Sequence, residues 1–398
     1  MNNVVIIGGG ASGMAAAITA SEDKNNNVIL LERQQRVGKK LLSTGNGRCN
    51  LTNTGAFSGH YHGSQPGFPD SVLAGFTPDD TLRFFDTLGL SVSREYGGRV
   101  YPQSNSANSV VDVLRFALMR DNITVKTSCP ARKIERRGEG FAVLTDEGVI
   151  SADFVIVSCG GAAGARVGGV HDGYELLKPL GHKCTRLLPS LVQLITDPTY
   201  PRALKGVRVM AKLCLENDGE TLAQSCGELQ FTETGLSGPA AFDISRAAAK
   251  TGRGVIHIDL SGDTDIEYKL RTRIKNNPAL CADDALTGVL HNRLGKMTVK
   301  YAGVPGSMPL DKLTDADIAA IANACRDFAI ALRGVEDFDH AQVTAGGIKT
   351  GVNPETLESW FVPHLFITGE LLDVDADCGG FNLQWAWASG VTAGRLGK

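Results

Sequence analysis

Residues 3–20, which read NVVIIGGGASGMAAAITA, decide the fold class of this chain. The apolar, β-branched run 3–7 predicts a buried strand, the glycines predict a tight turn, and the alanine-rich segment 14–20 predicts a helix. A second apolar run, 28–31, is followed by two charged residues. Strand, turn, helix and strand in this order predict a βαβ unit with a parallel sheet. Because both strands are apolar without alternation, we expect a sheet covered on both faces.

The turn carries the spacing Gly8-x-Gly10-x-x-Gly13. This spacing is weak by itself, but here it follows a strand, opens a helix and is followed by an acid, Glu32, at the end of the next strand. We expect Gly8 to permit the tight turn, Gly10 to let the backbone approach a pyrophosphate, and Gly13 to let helix and strand pack closely. The helix N-terminus would hold the phosphates and Glu32 the ribose hydroxyls, so the segment predicts a dinucleotide site.

The glycine motif leaves the choice between FAD and NAD(P) open. Arg33 could favour a nucleotide with a 2′-phosphate, whereas the neighbouring Glu32 would repel one. A nicotinamide dehydrogenase would also have no need of a distant C-terminal segment that returns to the site.

Two further segments have the composition of ligand-lining loops. Residues 38–53, GKKLLSTGNGRCNLTN, are dense in hydrogen-bond donors close after the second strand. Residues 368–384, TGELLDVDADCGGFNLQ, follow an apolar strand and open a helix at a glycine pair. Glu370 can hold a ribityl hydroxyl, and N–H groups near Gly380–Leu383 can stabilise negative charge on a reduced flavin. The acids of this run do not have the spacing of a calcium-binding EF-hand loop.

Composition excludes several other classes of protein. The net charge is −3, so binding of nucleic acid through bulk positive charge is not expected. The N-terminus lacks a signal-peptide pattern, and no apolar run reaches the length of about 18 residues that a membrane helix needs. The nine cysteines are dispersed without a CxxC pair, and no HExxH occurs. We therefore expect a cytoplasmic protein with no metal, no membrane association and no nucleic-acid partner.

The hydrophobic pattern changes near residue 190. Short alternating strands, such as 207–215 and 254–260, follow up to about residue 263. The segment 264–335 is mainly of helical pattern, with one helix expected over 311–332. We predict a doubly wound α/β domain built from residues 1–189 and 336–398, with an inserted substrate-side domain over 190–335. Within the insert, 190–263 is expected to be β-barrel-like and 264–335 mainly helical.

Four strings of residues are more specific than the glycine motif: GNGRCNLTN at 45–53, FTETGLSGPA at 231–240, VTAGGI at 343–348 and GELLDVDADCGGFNLQWA at 369–386. With them the chain resembles the BaiN/YhiN-type (BaiN/RdsA family) bacterial NAD(P)/FAD-dependent oxidoreductases along almost its whole length. The resemblance implies a Rossmann-like FAD-binding domain of glutathione-reductase type with an inserted β-barrel and a small helical subdomain. Activities in the family include reduction of conjugated double bonds in 3-oxo bile acids and oxidation of a small amine.

The resemblance also implies which positions contact a tightly, non-covalently bound FAD. The glycine turn would hold the pyrophosphate, the loop after the second strand would run toward the flavin, and Ala131 would hold adenine through its backbone. The implied contacts are Gly8, Gly10, Ala11, Ser12, Gly13, Glu32, Arg33, Lys40, Ser43, Gly47, Arg48, Cys49, Asn50, Ala131, Cys159, Gly160, Gly369, Glu370, Gly380, Asn382 and Leu383.

No catalytic acid or base is assigned from the sequence. Thr344, Thr232 and His340 are candidates, each with a structural role as the alternative. The flavin would carry the redox chemistry while the protein positions the substrate. No Cys-x4-Cys pair stands near the flavin loop, so disulfide-reductase chemistry is not expected. Cys49 and Cys378 are expected to be small buried residues rather than redox thiols.

Three functions remain open at this point. The first is reduction of an activated, enone-like C=C or a similar small organic substrate, with NAD(P)H as a transient electron donor. The second is an amine oxidase that uses O₂, since no second GxGxxG is present to hold a nicotinamide. The third is a flavin-stabilised RNA-binding or non-catalytic protein, because some flavoproteins of this fold act on tRNA. The oligomeric state cannot be predicted.

Overall fold

The computed structural model describes residues 1–57, 59–349 and 351–398. These residues form two compact units. The first, here called the sheet unit, consists of Met1–Leu188 and Gln342–Lys398, and the second, the barrel unit, consists of Pro189–Ala341. The sheet unit is therefore built from both ends of the chain.

The first chain segment, up to the start of the barrel unit, contains these elements: β1 (Asn2–Ile7), α1 (Ala11–Ala20), β2 (Asn26–Leu31), β3 (Thr52–Asn53), β4 (Tyr61–His62), α2 (Phe68–Gly75), α3 (Pro78–Thr87), β5 (Val92–Arg94), β6 (Arg99–Pro102), α4 (Ala107–Ala117), β7 (Ile123–Lys126), β8 (Ala131–Arg137), β9 (Gly140–Thr145), β10 (Gly148–Ala152), β11 (Phe154–Val157), α5 (Asp172–Leu177) and β12 (Leu188–Ser190).

The barrel unit continues with β13 (Leu194–Thr196), β14 (Arg208–Asn217), β15 (Glu220–Phe231), β16 (Gly235–Ser237), α6 (Pro239–Thr251), β17 (Gly254–Asp259), α7 (Ile266–Asn276), α8 (Asn292–Tyr301), α9 (Asp315–Arg326) and β18 (Phe328–Val335). The sheet unit is completed by β19 (Val343–Ala345), β20 (Leu365–Ile367), β21 (Asp375–Ala376) and α10 (Phe381–Gly394).

Five parallel strands form the main sheet, in the order β20-β11-β1-β2-β7. The central strand β1 is buried on both faces, and Val4, Val5 and Ile6 have no exposed surface. The parallel sheet that the sequence predicts is therefore confirmed. In the register of β1, Ile7 lies opposite Leu31 on one side and Val157 on the other. The residues that follow these strands consequently meet at one edge of the sheet, where ligands bind in open α/β sheets.

Helices α1 and α10 pack closely through small residues. An added Cβ on Gly390 would lie 2.3 Å from the backbone oxygen of Ser12, and one on Gly394 would lie 2.7 Å from the oxygen of Ala16. Such distances are possible only where the residue has no side chain. The C-terminal helix thus lies directly against the helix that begins at the glycine turn.

The barrel unit is a closed barrel of six strands in the order β13-β16-β15-β14-β17-β18. Its strands alternate between buried and exposed positions, as in β14, where Ala211, Leu213 and Leu215 are buried. Helix α6 adds Ala240, Ile244 and further apolar residues to the same core. Closure leaves the barrel without an unpaired strand edge.

The helix predicted over 311–332 is wrong in its second half. Helix α9 begins after Thr314, whose side chain forms a capping box with Asp317, and it ends at Arg326. The following residues form β18, in which Phe328 and Ile330 alternate with more exposed neighbours. This strand pairs with β17 and β13 and closes the barrel. Because the alternation begins directly after a helical pattern, the two periods merged into one predicted helix.

No helix of the described ranges combines the length and the apolar character that crossing a membrane requires.

Candidate functional site

The glycine turn after β1 has the geometry that its spacing predicts. Gly8 adopts a φ of +109°, which residues with a side chain rarely adopt. A Cβ on Gly13 would lie 1.8 Å from the oxygen of Gly8, so helix and turn are in direct backbone contact. A Cβ on Gly10 would meet no atom within 4 Å. The middle glycine therefore faces open space at the N-terminus of α1, which is where an anion is favoured.

Glu32 stands beside this turn and is bound to it. Its Oε2 accepts a hydrogen bond of 2.8 Å from the Gly9 N–H, and its Oε1 accepts one of 2.7 Å from the Gln34 N–H. The residue is 8% exposed. Burial raises the pKa of the Glu32 carboxyl above its usual value, although both hydrogen bonds act in the opposite direction. Each carboxylate oxygen retains acceptor capacity for a ligand hydroxyl.

The segment before β8 runs alongside Glu32. Ser128 N–H donates to the Gln34 carbonyl at 2.8 Å, and Cys129 N–H donates to the Glu32 carbonyl at 2.9 Å. Ala131 follows as the first residue of β8. The structure thus brings Ala131 to the neighbourhood of the predicted ribose-binding acid.

Two other predicted positions flank the glycine turn. The Arg33 guanidinium forms an ion pair of 3.0 Å with Asp172, at the start of α5. Cys159 is the second residue after β11. Its Sγ lies 3.6 Å from the oxygen of Ile7, and burial raises the pKa of its thiol to about 12. A Cβ on Gly160 would meet nothing within 4 Å, so a second glycine at this sheet edge faces open space.

The loop after β2 is shaped by residues with positive φ. Gly47 has a φ of +82° and Cys49 one of +61°. Cys49 is fully buried, as expected, and burial raises the pKa of its thiol to about 12. The Ser43 hydroxyl donates to the Lys40 carbonyl at 2.8 Å, and Asn50 Oδ1 is buried with no hydrogen-bond partner within the described ranges.

Three contacts restrict the conformation of the Arg48 side chain in the same loop. It hydrogen bonds Glu95 and Asn105, and its guanidinium lies 4.0 Å from the centre of the Tyr101 ring. These contacts anchor the loop to β6 and its neighbours.

An ion pair links the loop to the C-terminal segment. Lys40 Nζ lies 2.7 Å from Glu370 Oε2, and the Thr344 N–H donates to Glu370 Oε1 at 2.7 Å. The buried Thr344 hydroxyl accepts a hydrogen bond of 2.9 Å from the Ala163 N–H. A Cβ on Gly161 would lie 2.4 Å from Thr344 Oγ1, so this network packs tightly against the backbone after β11.

The C-terminal segment is fixed to α10 and to the glycine turn. Gly369 N–H donates to Ser389 Oγ and its carbonyl accepts from Trp385 Nε1, both at 3.0 Å. Gly380 caps α10 with a φ of +99°. The Asn382 amide binds the backbone of Ala376 in both directions, at 2.9 and 2.8 Å. Leu383, the next residue, is half-buried against the main core.

The comparisons with known proteins decide the family. Residues 2–396 match the family described as "HI0933-like protein Rossmann domain". The chain belongs to this family. The resemblance drawn from the motifs is thereby confirmed.

Two relatives of this HI0933-like protein cover most of its length. A 3-dehydro-bile acid delta(4,6)-reductase of Clostridium scindens is 38% identical over 372 residues, which are 92% of this chain and 91% of the reductase. A ribosomal RNA dihydrouridine synthase of Escherichia coli is 28% identical over 361 residues, 89% of this chain and 88% of the synthase.

One solved structure supports the fold of this HI0933-like protein. The 3-ketosteroid delta1-dehydrogenase from Sterolibacterium denitrificans aligns over 99% of both chains with a TM-score of 0.51 and 12% identity. At this identity the likeness concerns the fold alone. Sequence relatives and fold together place the HI0933-like protein among the Rossmann-fold flavoprotein oxidoreductases.

The three candidate catalytic residues belong to different units. Thr344 belongs to the sheet unit, where its hydroxyl is engaged as described above. Thr232 belongs to the barrel unit, and its Oγ1 accepts from the Gly235 N–H at 3.1 Å. His340, also in the barrel unit, pairs with Asp337 at 2.9 Å. Cys378, expected to be buried, is partly exposed.

Sequence reasoning missed a cluster of His60, His62 and Asp377 in the sheet unit. His60 Nδ1 lies 3.0 Å from Asp377 Oδ2, and His62 Nε2 lies 2.7 Å from Asp377 Oδ1. The one signal in the sequence was the alternation His-Tyr-His at 60–62, which puts both imidazoles on the same face of a strand. Their acidic partner is more than 300 positions away and has no such signal.

Proposed function

We propose that this HI0933-like protein is an FAD-dependent reductase that uses NAD(P)H to reduce a C=C bond conjugated with a carbonyl group in a small organic substrate. The observation that carries the proposal is the 38% identity to the Clostridium scindens reductase over 92% of this chain.

The names of the two relatives describe one kind of chemistry. A 3-dehydro delta(4,6) bile acid carries C=C bonds conjugated with its 3-oxo group. Dihydrouridine is uridine in which the C=C bond conjugated with a ring carbonyl has been saturated. Hydride addition to such an activated C=C bond is therefore the reaction that we propose for this chain.

The residues of the sheet unit fit FAD. The open space in front of Gly10 and Gly160 is what backbone approach to a pyrophosphate requires. The buried, unpartnered Asn50 Oδ1 would lie 2.9 Å from a Cβ on Gly380, at the N-terminus of α10. A buried acceptor without a partner is costly, and a bound donor would satisfy it.

We assign the following roles to the residues that would hold FAD. The N–H groups at the start of α1 would bind the pyrophosphate, Glu32 would accept from the ribose hydroxyls, and the backbone near Ala131 would hold adenine. The ion pair of Lys40 and Glu370 joins the loop to the C-terminal segment, and these residues would hold the ribityl chain. The first turn of α10 would present N–H groups to negative charge on the reduced ring. When bound, FAD supplies the hydride that the substrate receives.

An anaerobic absorbance spectrum tests the proposal. We expect the purified holoprotein to show flavin bands that bleach after addition of NADH or NADPH. A 3-oxo-4,6-diene bile acid should then restore the bands. If the bands persist with both nucleotides but bleach with amines, and the protein releases peroxide in air, it is an amine oxidase and not a reductase. A colourless protein that takes up no added FAD would overturn the proposal.

The Escherichia coli relative favours RNA as a second substrate class to be tested. The prediction that no nucleic acid is bound rests on the net charge of −3 and on the lack of a stripe of aromatic and basic residues in the sequence. In the same anaerobic cuvette, reduced enzyme that is reoxidised by uridine-containing ribosomal RNA but not by small enones would identify an RNA-modifying enzyme.

A further inference from the structure

The two histidines of the His60–Asp377–His62 cluster share one carboxylate. Strand β4 carries His62 and pairs antiparallel with β21, which brings Asp375 opposite His62 and Ala376 opposite Tyr61. Asp377 N–H donates to the His60 carbonyl at 3.0 Å, so the backbone fixes the cluster as well. Each carboxylate oxygen binds a different imidazole.

The cluster lies on the first turn of α10. The His60 ring stacks on the Phe381 ring, with centroids 4.1 Å apart and an angle of 14° between the planes. The Tyr61 hydroxyl donates to the Phe381 carbonyl at 3.2 Å. Phe381 is the first residue of α10, the helix whose N-terminus we assign to the reduced flavin ring.

The arrangement is suited to proton transfer. An aspartate bound to one ring nitrogen orients an imidazole and stabilises its protonated form. The opposite ring nitrogen of each histidine has no hydrogen-bond partner within the described ranges, so it can exchange a proton. The side chains of His60 and His62 are 43% and 37% exposed, which gives water access for reprotonation.

Three other candidates of the sheet unit, one hydroxyl and two thiols, are unsuited to this task. Thr344 is buried and its hydroxyl is engaged with the Ala163 N–H. The thiols of Cys49 and Cys159 are held in their neutral form by burial, which raises the pKa of each to about 12. Such weak acids do not supply protons efficiently near neutral pH, whereas an imidazolium does.

We propose that His60, oriented by Asp377 and supported by His62, is the proton donor of the reduction; this inference rests on the function proposed above. Hydride addition to the β-carbon moves the C=C electron pair toward the carbonyl and leaves an enolate. The His60 imidazolium gives its proton to the α-carbon, so one N–H bond breaks and one C–H bond forms. The neutral imidazole then takes a proton from water. The substrate gains one hydride and one proton in total.

Other titratable groups of the surrounding elements bear on the pH dependence. Burial raises the pKa of Tyr61, which stays neutral. Asp373 accepts hydrogen bonds from Ser64, next to β4, and Asp375 lies in β21. Cys378 follows the cluster in the chain, and the first turn of α10 begins with the uncharged Phe381.

Asp377 shows the coupling within the cluster. Burial acts to raise the pKa of the Asp377 carboxyl, but hydrogen bonds and charge from His62 and His60 outweigh it, so the pKa lies below its usual value.

Stopped-flow kinetics with the holoenzyme tests the proposal. The variants are His60→Asn and Asp377→Asn, and the control is His364→Asn, a histidine of the same unit whose positive φ Asn tolerates well. We expect His60→Asn to slow reoxidation of the reduced enzyme by the 3-oxo-4,6-diene bile acid by about 100-fold or more. Its pH profile for this step should also differ from that of wild type, because the group that gives the proton is gone. Bleaching by NAD(P)H and FAD content should stay unchanged, and the control should match wild type throughout.

The outcomes separate this inference from the proposed function. If wild type reduces the bile acid and His60→Asn retains the wild-type rate and pH profile, His60 is not the proton donor, but the proposed reductase function is unaffected. If wild type bleaches with neither nucleotide and reduces no enone, the proposed function and the donor role both fail.

Histidine NMR supplies a readout without turnover. The imidazole resonances of His60 and His62 are assigned with the single variants. Asp377→Asn should shift the resonances of both rings, because each ring loses the carboxylate oxygen that binds it. Resonances that are the same in wild type and Asp377→Asn would show that the carboxylate does not orient the imidazoles, and the proposal would be overturned.

Discussion

At the scale of single residues, each glycine of the turn after β1 has a different physical task. Gly8 has a backbone conformation that requires glycine, and Gly13 stands where a side chain would collide with backbone. Gly10 has an ordinary φ of −81° and open space before it. Neither folding constraint explains a glycine at this position, whereas the proposed approach of the FAD pyrophosphate to the backbone would.

Substitution of Gly10 tests this assignment. We expect Gly10→Ala to fold normally, because its Cβ meets no protein atom within 4 Å, and to bind FAD more weakly, because the Cβ would stand where the pyrophosphate approaches the backbone. Gly10→Glu should also fold but lose FAD, since a carboxylate beside the pyrophosphate costs several kcal/mol, or roughly 1,000-fold in affinity. Flavin absorbance after purification and titration with FAD measure both. A fully yellow Gly10→Glu protein would contradict the site.

Glu32 provides a second residue-scale prediction, on the stability of the FAD-free protein. Since burial raises the folded-state pKa of Glu32, the folded protein holds this proton more tightly than the unfolded chain does. The contribution to stability is complete below the unfolded pKa and is lost as the pH rises through the higher folded pKa. The stability of wild type relative to Glu32→Gln should therefore decrease from about pH 4 to pH 7.

Urea unfolding of the two FAD-free proteins at several pH values measures this difference. A constant offset is expected from the amide, which cannot accept from both the Gly9 and Gln34 N–H groups as the carboxylate does. A stability of wild type relative to Glu32→Gln that increases with pH would contradict the predicted sign.

At the scale of elements, the contact between α1 and α10 joins the two ends of the chain. Gly390 and Gly394 let α10 approach the backbone of Ser12 and Ala16. Gln384 of the same helix accepts hydrogen bonds of 2.7 Å from both Thr52 and Thr81. Helix α10, whose N-terminus is predicted to lie at the flavin, is therefore positioned by β3, by α3 and by α1, whose N-terminus is predicted to bind the phosphates.

Widening this contact should affect stability and cofactor binding together. In Gly390→Ala the new Cβ would lie 2.3 Å from the Ser12 oxygen, so we expect a loss of about 1–3 kcal/mol of stability and weaker FAD binding. Gly75→Ala is the matched control, because its Cβ at the end of α2 meets nothing within 4 Å. Equal melting temperatures and equal FAD affinities for the two variants would show that the contact is not tight.

At the scale of the whole molecule, the chain forms two units with separate cores, one around the parallel sheet and one inside the barrel. All predicted FAD contacts belong to the sheet unit. A ligand that binds only the folded form stabilises what it binds.

Removal of FAD should therefore act mainly on the sheet unit. At a concentration about 100-fold above its Kd, FAD is expected to add roughly 2.7 kcal/mol of stability. Hydrogen exchange with and without FAD locates the effect, and protection should concentrate in peptides that contain the glycine turn, the loop 38–53 and the segment 368–384. Protection confined to the barrel unit would show that FAD binds there and not at the predicted positions.

The sequence determined those features that depend on local pattern. The strand–turn–helix at 3–20, the glycine tasks, the acid after β2 and the parallel sheet follow from periodicity and spacing within short windows. The motifs also identified the family. Local pattern failed where a helix passed directly into a strand, because β18 is defined by its barrel partners β17 and β13 rather than by its own residues alone.

Only the tertiary structure decided which distant residues meet. Lys40 and Glu370 pair across 330 positions, and His60 meets Asp377 across 317. The sequence named Lys40 and Glu370 separately, and it did not indicate the histidine cluster. Such pairs are fixed by the packing of α10 on α1 and by the register of β4 with β21, which depend on the whole sheet unit. A contact between two side chains leaves no periodic trace in either segment, and therefore it could be found only in the folded chain.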